Sequence, residues 1–310
     1  MFSKHPKGLI AAALANMGER FGFYIMMAIL TLFISAKFGL SETTTGYIYS
    51  AFYASIYILA LAGGVIADKT KNFKGTILVG LILMAIGYLI IAIPTPTPVP
   101  SMGLYLGLTC LGLLVIAFGN GLFKGNLQAL VGQMYDDPKY SNLRDAGFQI
   151  FYMFINIGAV FAPFIAIGVR NWWLKVNNFD YDATLPELCH QYLEKGNDMA
   201  PQAMENLTTL AKSVVLDGTP VTDMGMFVNN YLDVFNRGFQ YAFMAAIGAM
   251  LVSLIIYMAN KKRFPDPATK LETSKGTATV NKEEIKAEPK EEKAVKEPAR
   301  RKKNTPGDYR

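Results

Sequence analysis

Three full charges lie inside stretches of sequence that are otherwise too apolar to hold them: Glu19, Arg20 and Lys124. The first two fall in an apolar run over 9–34, the third in a run over 103–131. About 20 residues rising 1.5 Å each cross the ~30 Å hydrocarbon core of a bilayer, so both runs are long enough to span one. A charge at that depth costs on the order of 2.5–3.5 kcal/mol and is normally kept because it is used. Polar residues accompany the three at helical spacing. Positions 16, 19, 20, 23, 24 and 27 share a helix face, which aligns Asn16, Glu19, Arg20 and Tyr24 beside Phe23. Asn120, Lys124 and Gln128 recur every fourth residue, as do Tyr49, Tyr53 and Tyr57, and Gln149, Tyr152 and Asn156 form a fourth line. Lipid does not tolerate such lines, so they are expected to converge on an internal, wettable cavity.

Each of these residues also has a plainer reading. Glu19 and Arg20 would serve as a buried structural ion pair, although adjacent positions on a helix do not face each other. Lys124 would snorkel to an interface. A single tyrosine would pack or anchor, and Asn156 would bond between helices. A membrane enzyme is disfavoured: no Ser/His or Cys/His pair occurs at membrane depth, and His5 and His190 both lie outside the apolar runs.

The elements that must position the charges are six apolar segments, at about 9–34, 47–67, 75–93, 103–131, 146–169 and 239–259. They imply an all-α integral membrane fold, a bundle of six spans. The chain is 52% hydrophobic over 310 residues, but the clustering into long runs, more than the average, places it in the membrane class. Its net charge of +6 belongs to the last fifty residues. Residues 261–310 hold 15 Lys/Arg and 9 Asp/Glu, which leaves 15 of each before them. The basic balance therefore does not point to nucleic acid. That tail, rich in Lys, Glu, Ala and Pro, is expected to be a disordered charged linker. Cys110 and Cys189 give no disulfide framework and no metal site, and no cleavable signal precedes the first run.

Orientation follows from Lys/Arg in the short connections. Lys4 and Lys7, then Lys69, Lys71 and Lys74, then Lys139 and Arg144, and finally Lys261, Lys262 and Arg263 all fall on one side. Both termini are therefore expected in the cytoplasm. The long connection over 170–238, with 9 acidic and 5 basic residues, would face outward as an accessory insertion, with an amphipathic helix over 200–216.

Gly63-Gly64-Val65-Ile66-Ala67-Asp68-Lys69 ends the second span. Gly64, Asp68 and Lys69 resemble the Gly-x-x-x-Asp-(Arg/Lys) signature of the major facilitator superfamily, whose role is gating and structure. Three further blocks, Glu19-Arg20-Phe21-Gly22-Phe23-Tyr24, Gly121-Leu122-Phe123-Lys124-Gly125-Asn126 and Phe151-Tyr152-Met153-Phe154-Ile155-Asn156-Ile157-Gly158, resemble those of the proton-dependent oligopeptide transporter family, in the same order on spans 1, 4 and 5. The resemblance runs from about residue 5 to 260, with 170–238 outside it. It implies import of di- and tripeptides across a bacterial inner membrane, with the proton as coupling ion and no other cofactor. Arg20 would hold the peptide carboxylate. Glu19 and Lys124 would couple the proton, Lys124 also lying near the carboxylate, and Tyr24, Tyr57 and Asn156 match pocket positions. A planar guanidinium fork suits a carboxylate, and an acid beside two cations can change partners when protonated.

The sequence departs from the family at Asn16, where the first acid of its helix 1 motif belongs, at Phe23 in place of a frequent Tyr, and at Gly125 in place of a Pro. Facilitator transporters pair two six-helix halves, each a 3+3 inverted repeat, around a midplane site. The resemblance therefore implies an N-terminal half that needs a second six-helix half as partner, besides the bilayer and small peptides. Two other functions remain open at this stage: a related facilitator of another anionic or amphipathic substrate with altered coupling, and a membrane interaction module that does not transport.

Overall fold

The structure, a computed structural model, describes residues 4–265. Eight helices follow one another: α1 Leu9–Phe38, α2 Glu42–Thr70, α3 Phe73–Ala92, α4 Met102–Gln133, α5 Arg144–Val176, α6 Leu185–Lys195, α7 Pro201–Val214 and α8 Met224–Asn260. The six long ones (α1 to α5 and α8) are each long and apolar enough to cross a membrane. Local chemistry sets their ends. Gly39 adopts a left-handed φ of 63° and its N–H closes α1 on the Ser35 carbonyl. The side chains of Ser41, Asn72 and Asp223 accept backbone N–H groups at the starts of α2, α3 and α8. The Pro94–Pro100 run follows α3, since proline cannot continue a helix.

The long helices pack in a pattern that an internal repeat predicts. α1 lies against α5 and α8, while α4 lies against α2 and α3. Exchanging the first triplet (α1, α2, α3) for the second (α4, α5, α8) turns the α1–α5 contact into α4–α2 and the α1–α8 contact into α4–α3. The α1–α4 and α3–α8 contacts map onto themselves. This is the packing of a 3+3 bundle. In their most apolar stretches α1 and α3 are 61% and 56% buried, against 22% and 28% for α2 and α5. The outer faces of α2 and α5 carry exposed Tyr53, Tyr57, Tyr152, Phe161 and Phe164.

Small residues permit the close crossings that stand in for a hydrophobic driving force within lipid. A Cβ at Gly80 would meet the Gly119 carbonyl at 2.7 Å, and one at Gly158 the Met17 carbonyl at 2.9 Å. Ser253 Oγ donates to the Ala15 carbonyl at 2.5 Å, and the Tyr257 hydroxyl to the Lys74 carbonyl at 3.1 Å.

The long connection differs from its expected form. α5 runs seven residues beyond 169 and α8 begins fifteen residues before 239, so the connection between the two long helices shrinks to 177–223. α7 lies within the stretch expected to be amphipathic, whereas α6 has no counterpart in the sequence reading. The connection is tied to the bundle: His190 Nε2 and the Ala36 carbonyl are 2.7 Å apart, and the Arg170 guanidinium lies 3.6 Å from the Tyr181 ring centroid. Burial holds the His190 imidazole below its ordinary range, outweighing the opposing pull of the Ala36 carbonyl. Cys189 is buried and its thiol is pushed up to about 12. Beyond the short turn Lys261–Arg263, the expected linker lies outside the described residues.

Candidate functional site

α1 places its charges at mid-helix, and both are removed from solvent: Glu19 is 0% and Arg20 5% exposed. Their side chains meet. Arg20 Nε donates to Glu19 Oε2 at 2.5 Å and Nη2 donates to Oε1 at 2.7 Å. The expectation that neighbours on a helix do not face each other fails here, because both side chains are long enough to curl together once their Cβ atoms have diverged. A bidentate guanidinium–carboxylate pair satisfies both ions where no water can. The guanidinium also lies 4.7 Å from the Phe23 ring centroid, a cation–π contact. From α4, Asn120 Nδ2 donates to Glu19 Oε1 at 3.1 Å.

In front of this pair opens a cavity of about 420 Å³. Its walls are Arg20, Phe23, Tyr24, Met27 and Ala28 of α1, Tyr49, Tyr53, Ile56 and Tyr57 of α2, Lys124 of α4 and Pro163 of α5. The tyrosines at every fourth position form one surface. Tyr49 stacks on Tyr53, and the Tyr53 and Tyr57 hydroxyls lie 3.0 Å apart. Lys124 is half-buried, and its Nζ lies 5.8 Å from the Tyr57 ring centroid. It thus ends over an aromatic wall of the cavity. The arrangement brings two cations and several phenols to one concave surface, with the buried Glu19 carboxylate bonded to one of the cations. The guanidinium is already occupied by an internal anion.

The remaining sequence candidates lie elsewhere. Asn156 is exposed on α5 and is not part of this lining. Asp68 and Lys69 are exposed at the end of α2. Gly64 has open space where a Cβ would stand, and the close approach belongs to its neighbour. A Cβ on Gly63 would collide with the Gly121 carbonyl, and the Gly63 carbonyl accepts Asn126 Nδ2 at 3.1 Å. Two buried groups behind the ion pair escaped sequence reading as site residues. Asn120 had a signal, one turn before Lys124 on the same face. Tyr88, fully buried on α3, had none, since one tyrosine in an apolar helix is ordinary.

Known proteins resemble this chain in sequence and in fold. The family model described as POT family matches residues 74–282, a stretch that starts at α3 and so leaves the α1 block outside it. Dipeptide and tripeptide permease A of Salmonella typhi is 34% identical over 161 residues, 51% of this chain and 30% of that protein. Its namesake in Klebsiella pneumoniae (strain 342) is 34% identical over 230 residues, 69% of this chain and 43% of that protein. A crystal structure of a peptide transporter POT in complex with sulfate aligns over 92% of this chain and 46% of its own, with a TM-score of 0.56 and 23% identity. A POT family transporter in complex with 5-aminolevulinic acid aligns with a TM-score of 0.55 and 22% identity, over 92% of this chain and 47% of its own. The chain thus spans less than half the length of the proteins it matches. With its six membrane-crossing helices packed as a 3+3 bundle and a family match over two thirds of its length, the chain belongs to the POT family.

Proposed function

We propose that this chain supplies one wall of a proton-coupled importer of di- and tripeptides, working by alternating access. The observation that carries this reading is the occupied fork. Arg20 lines a cavity of peptide-admitting size while its Nε/Nη2 edge is taken by Glu19. Protonating Glu19 removes the internal anion and frees the guanidinium for a substrate carboxylate. Proton and peptide then arrive together because each needs the change the other favours. Lys124 shares the cavity and lies within electrostatic reach of Glu19 and Arg20, so it takes part in both carboxylate binding and coupling. Tyr24 and Tyr57 shape the wall, and Asn156, outside the present lining, keeps only the substrate contact that the family resemblance suggests. The proton is the coupling ion. The names of the permease relatives support the peptide as substrate.

The remaining wall comes from a second six-helix half. It would cover the exposed aromatic faces of α2 and α5. Both termini lie on the cytoplasmic side of a bacterial inner membrane. His5 bonds to Tyr135 at 2.8 Å and Tyr257 to Lys74 at 3.1 Å, so the basic connections gather at one end of the bundle, as the positive-inside rule requires. Asp68 and Lys69 stand at that end as gating residues, with the glycine contact supplied by Gly63. The test is uptake of a labelled dipeptide into vesicles by this chain joined to a second half. Uptake should follow an imposed pH gradient and vanish in Arg20→Ala. Uptake that ignores the gradient, or survives that substitution, overturns the proposal.

A further inference from the structure

Asn120 is 0% exposed on α4, and only one side of its amide is used. Nδ2 donates to Glu19 Oε1 at 3.1 Å and lies 4.0 Å from Met84 Sδ. Oδ1 is buried and has no hydrogen-bond partner among the described residues. Leaving a buried amide oxygen unbonded is costly, and leucine would fill the same space among apolar neighbours without that cost. An asparagine has one property there that leucine lacks. Its amide offers two donors on one edge and an acceptor on the other, and a half-turn about the Cβ–Cγ bond exchanges them.

We infer that Asn120 is a positioning residue that follows the charge on Glu19, donating through Nδ2 to the ionised carboxylate and turning over to accept through Oδ1 once Glu19 is protonated. The inference rests on Glu19 being the proton carrier proposed above. In each state the contact between Asn120 and Glu19 pairs a donor with an acceptor. Ionised Glu19 accepts from Arg20 Nε, Arg20 Nη2 and Asn120 Nδ2 and has nothing to donate. A proton arriving from the cavity forms an O–H bond on one carboxyl oxygen, and the neutral acid then holds Arg20 far less strongly. The new O–H needs an acceptor away from the guanidinium, which has none to give. The unbonded Oδ1 is the acceptor next to it, and the turned amide directs its N–H groups to the position Oδ1 leaves. Without it, the protonated acid would keep a buried, unsatisfied donor and pull back toward Arg20.

Among the described residues, the charged and titratable groups near Glu19 include Arg20 on its own helix, Tyr88 on α3 and Lys124 on α4. The Tyr88 hydroxyl is buried and unbonded among the described residues. α5 and α8 meet α1 at this level through Gly158, and through Ala246, Ala249, Met250 and Ser253, none of them titratable. Lys124 and Arg20 cannot accept the new O–H, the Tyr88 hydroxyl makes no bond to Glu19, and Asn120 is the residue already in contact.

Infrared difference spectroscopy on the full chain in lipid nanodiscs, acid minus neutral, tests this directly. The wild type should show a carboxylic C=O band that Glu19→Gln abolishes. A side-chain amide C=O change, identified by isotope-labelled asparagine, should accompany it. Asn120→Leu should erase the amide change and shift the carboxylic band to the higher frequency of an acid without an acceptor. Loss of the Glu19 band itself from the wild type overturns the coupling reading and this inference with it. A Glu19 band that appears but is unmoved in Asn120→Leu overturns the amide switch alone. If the leucine variant does not fold, the wild-type isotope experiment still decides: protonation with no asparagine signal refutes the switch.

Discussion

Substituting adjacent glycines at the end of α2 should move stability in opposite directions. On backbone grounds alone, Gly→Ala inside a helix is worth ~0.5–1 kcal/mol in favour of alanine. At Gly64 nothing stands within reach of the new Cβ, so Gly64→Ala should stabilise by about that amount. At Gly63 the Cβ lands on the Gly121 carbonyl, with the Leu122 nitrogen 2.8 Å away. Both obstacles are backbone, so no rotamer change relieves them and α2 must move off α4. Overpacking of this kind costs ~1–3 kcal/mol. The displacement also stretches the 3.1 Å bond from Asn126 to the Gly63 carbonyl, worth ~0.5–1.5 kcal/mol net. After subtracting the backbone gain, Gly63→Ala should destabilise by about 1–3.5 kcal/mol, leaving the neighbouring variants about 1.5–4.5 kcal/mol apart. Reversible unfolding in mixed micelles, titrated with a denaturing detergent, reads the difference. If both variants shift the midpoint the same way, the close α2–α4 crossing is not where the structure puts it.

Three other outcomes are expected. Glu19→Ala strands a buried guanidinium and should cost ~3–5 kcal/mol, while Glu19→Ala with Arg20→Ala should cost clearly less than the two single losses together; additivity in the same unfolding assay would mean the ion pair is not formed. Arg20→Lys should fail to restore dipeptide uptake lost in Arg20→Ala, because an ammonium cannot present two parallel N–H groups; full recovery would show that charge alone suffices. Burial keeps the His190 imidazole below its ordinary range, so the unfolded state binds the proton more readily. The contribution of His190 is therefore complete above about pH 6.5, the ordinary value, and falls away as pH drops below it. Protection factors for hydrogen exchange in α6, corrected for the intrinsic pH dependence of amide exchange, should fall on acidification and lose that dependence in His190→Gln; a pH-independent wild type would refute the docking role.

The six spans were legible because lipid imposes a single rule, long apolar runs with satisfied backbones. The candidate cavity was legible for the same reason, since Arg20, Tyr24, Tyr57 and Lys124 stand out against such a background and do line one cavity. What escaped has physical causes. The Glu19–Arg20 pair contradicts a spacing rule that treats side chains as radial vectors and ignores their length. Asn156 lies on the right helix, yet the rotation of α5 leaves it outside the lining. Gly63 and Gly64 are identical as letters, and only the partner helix distinguishes them. α6 went unseen because an amphipathic helix of 11 residues outside the membrane carries a far weaker pattern than a span.

The exchange of triplets leaves the α1–α4 contact mapped onto itself, so the bond from Asn120 to Glu19 lies where the two triplets share a fulcrum. Asn120 is 13 residues from the end of α4 at Gln133, or about 20 Å at 1.5 Å per residue. A tilt of about 5° at the fulcrum would therefore carry that end by about 2 Å along such a lever. A rearrangement no larger than one hydrogen bond at mid-helix is thus amplified into a displacement of about 2 Å at the end of α4, without any change in the helix itself.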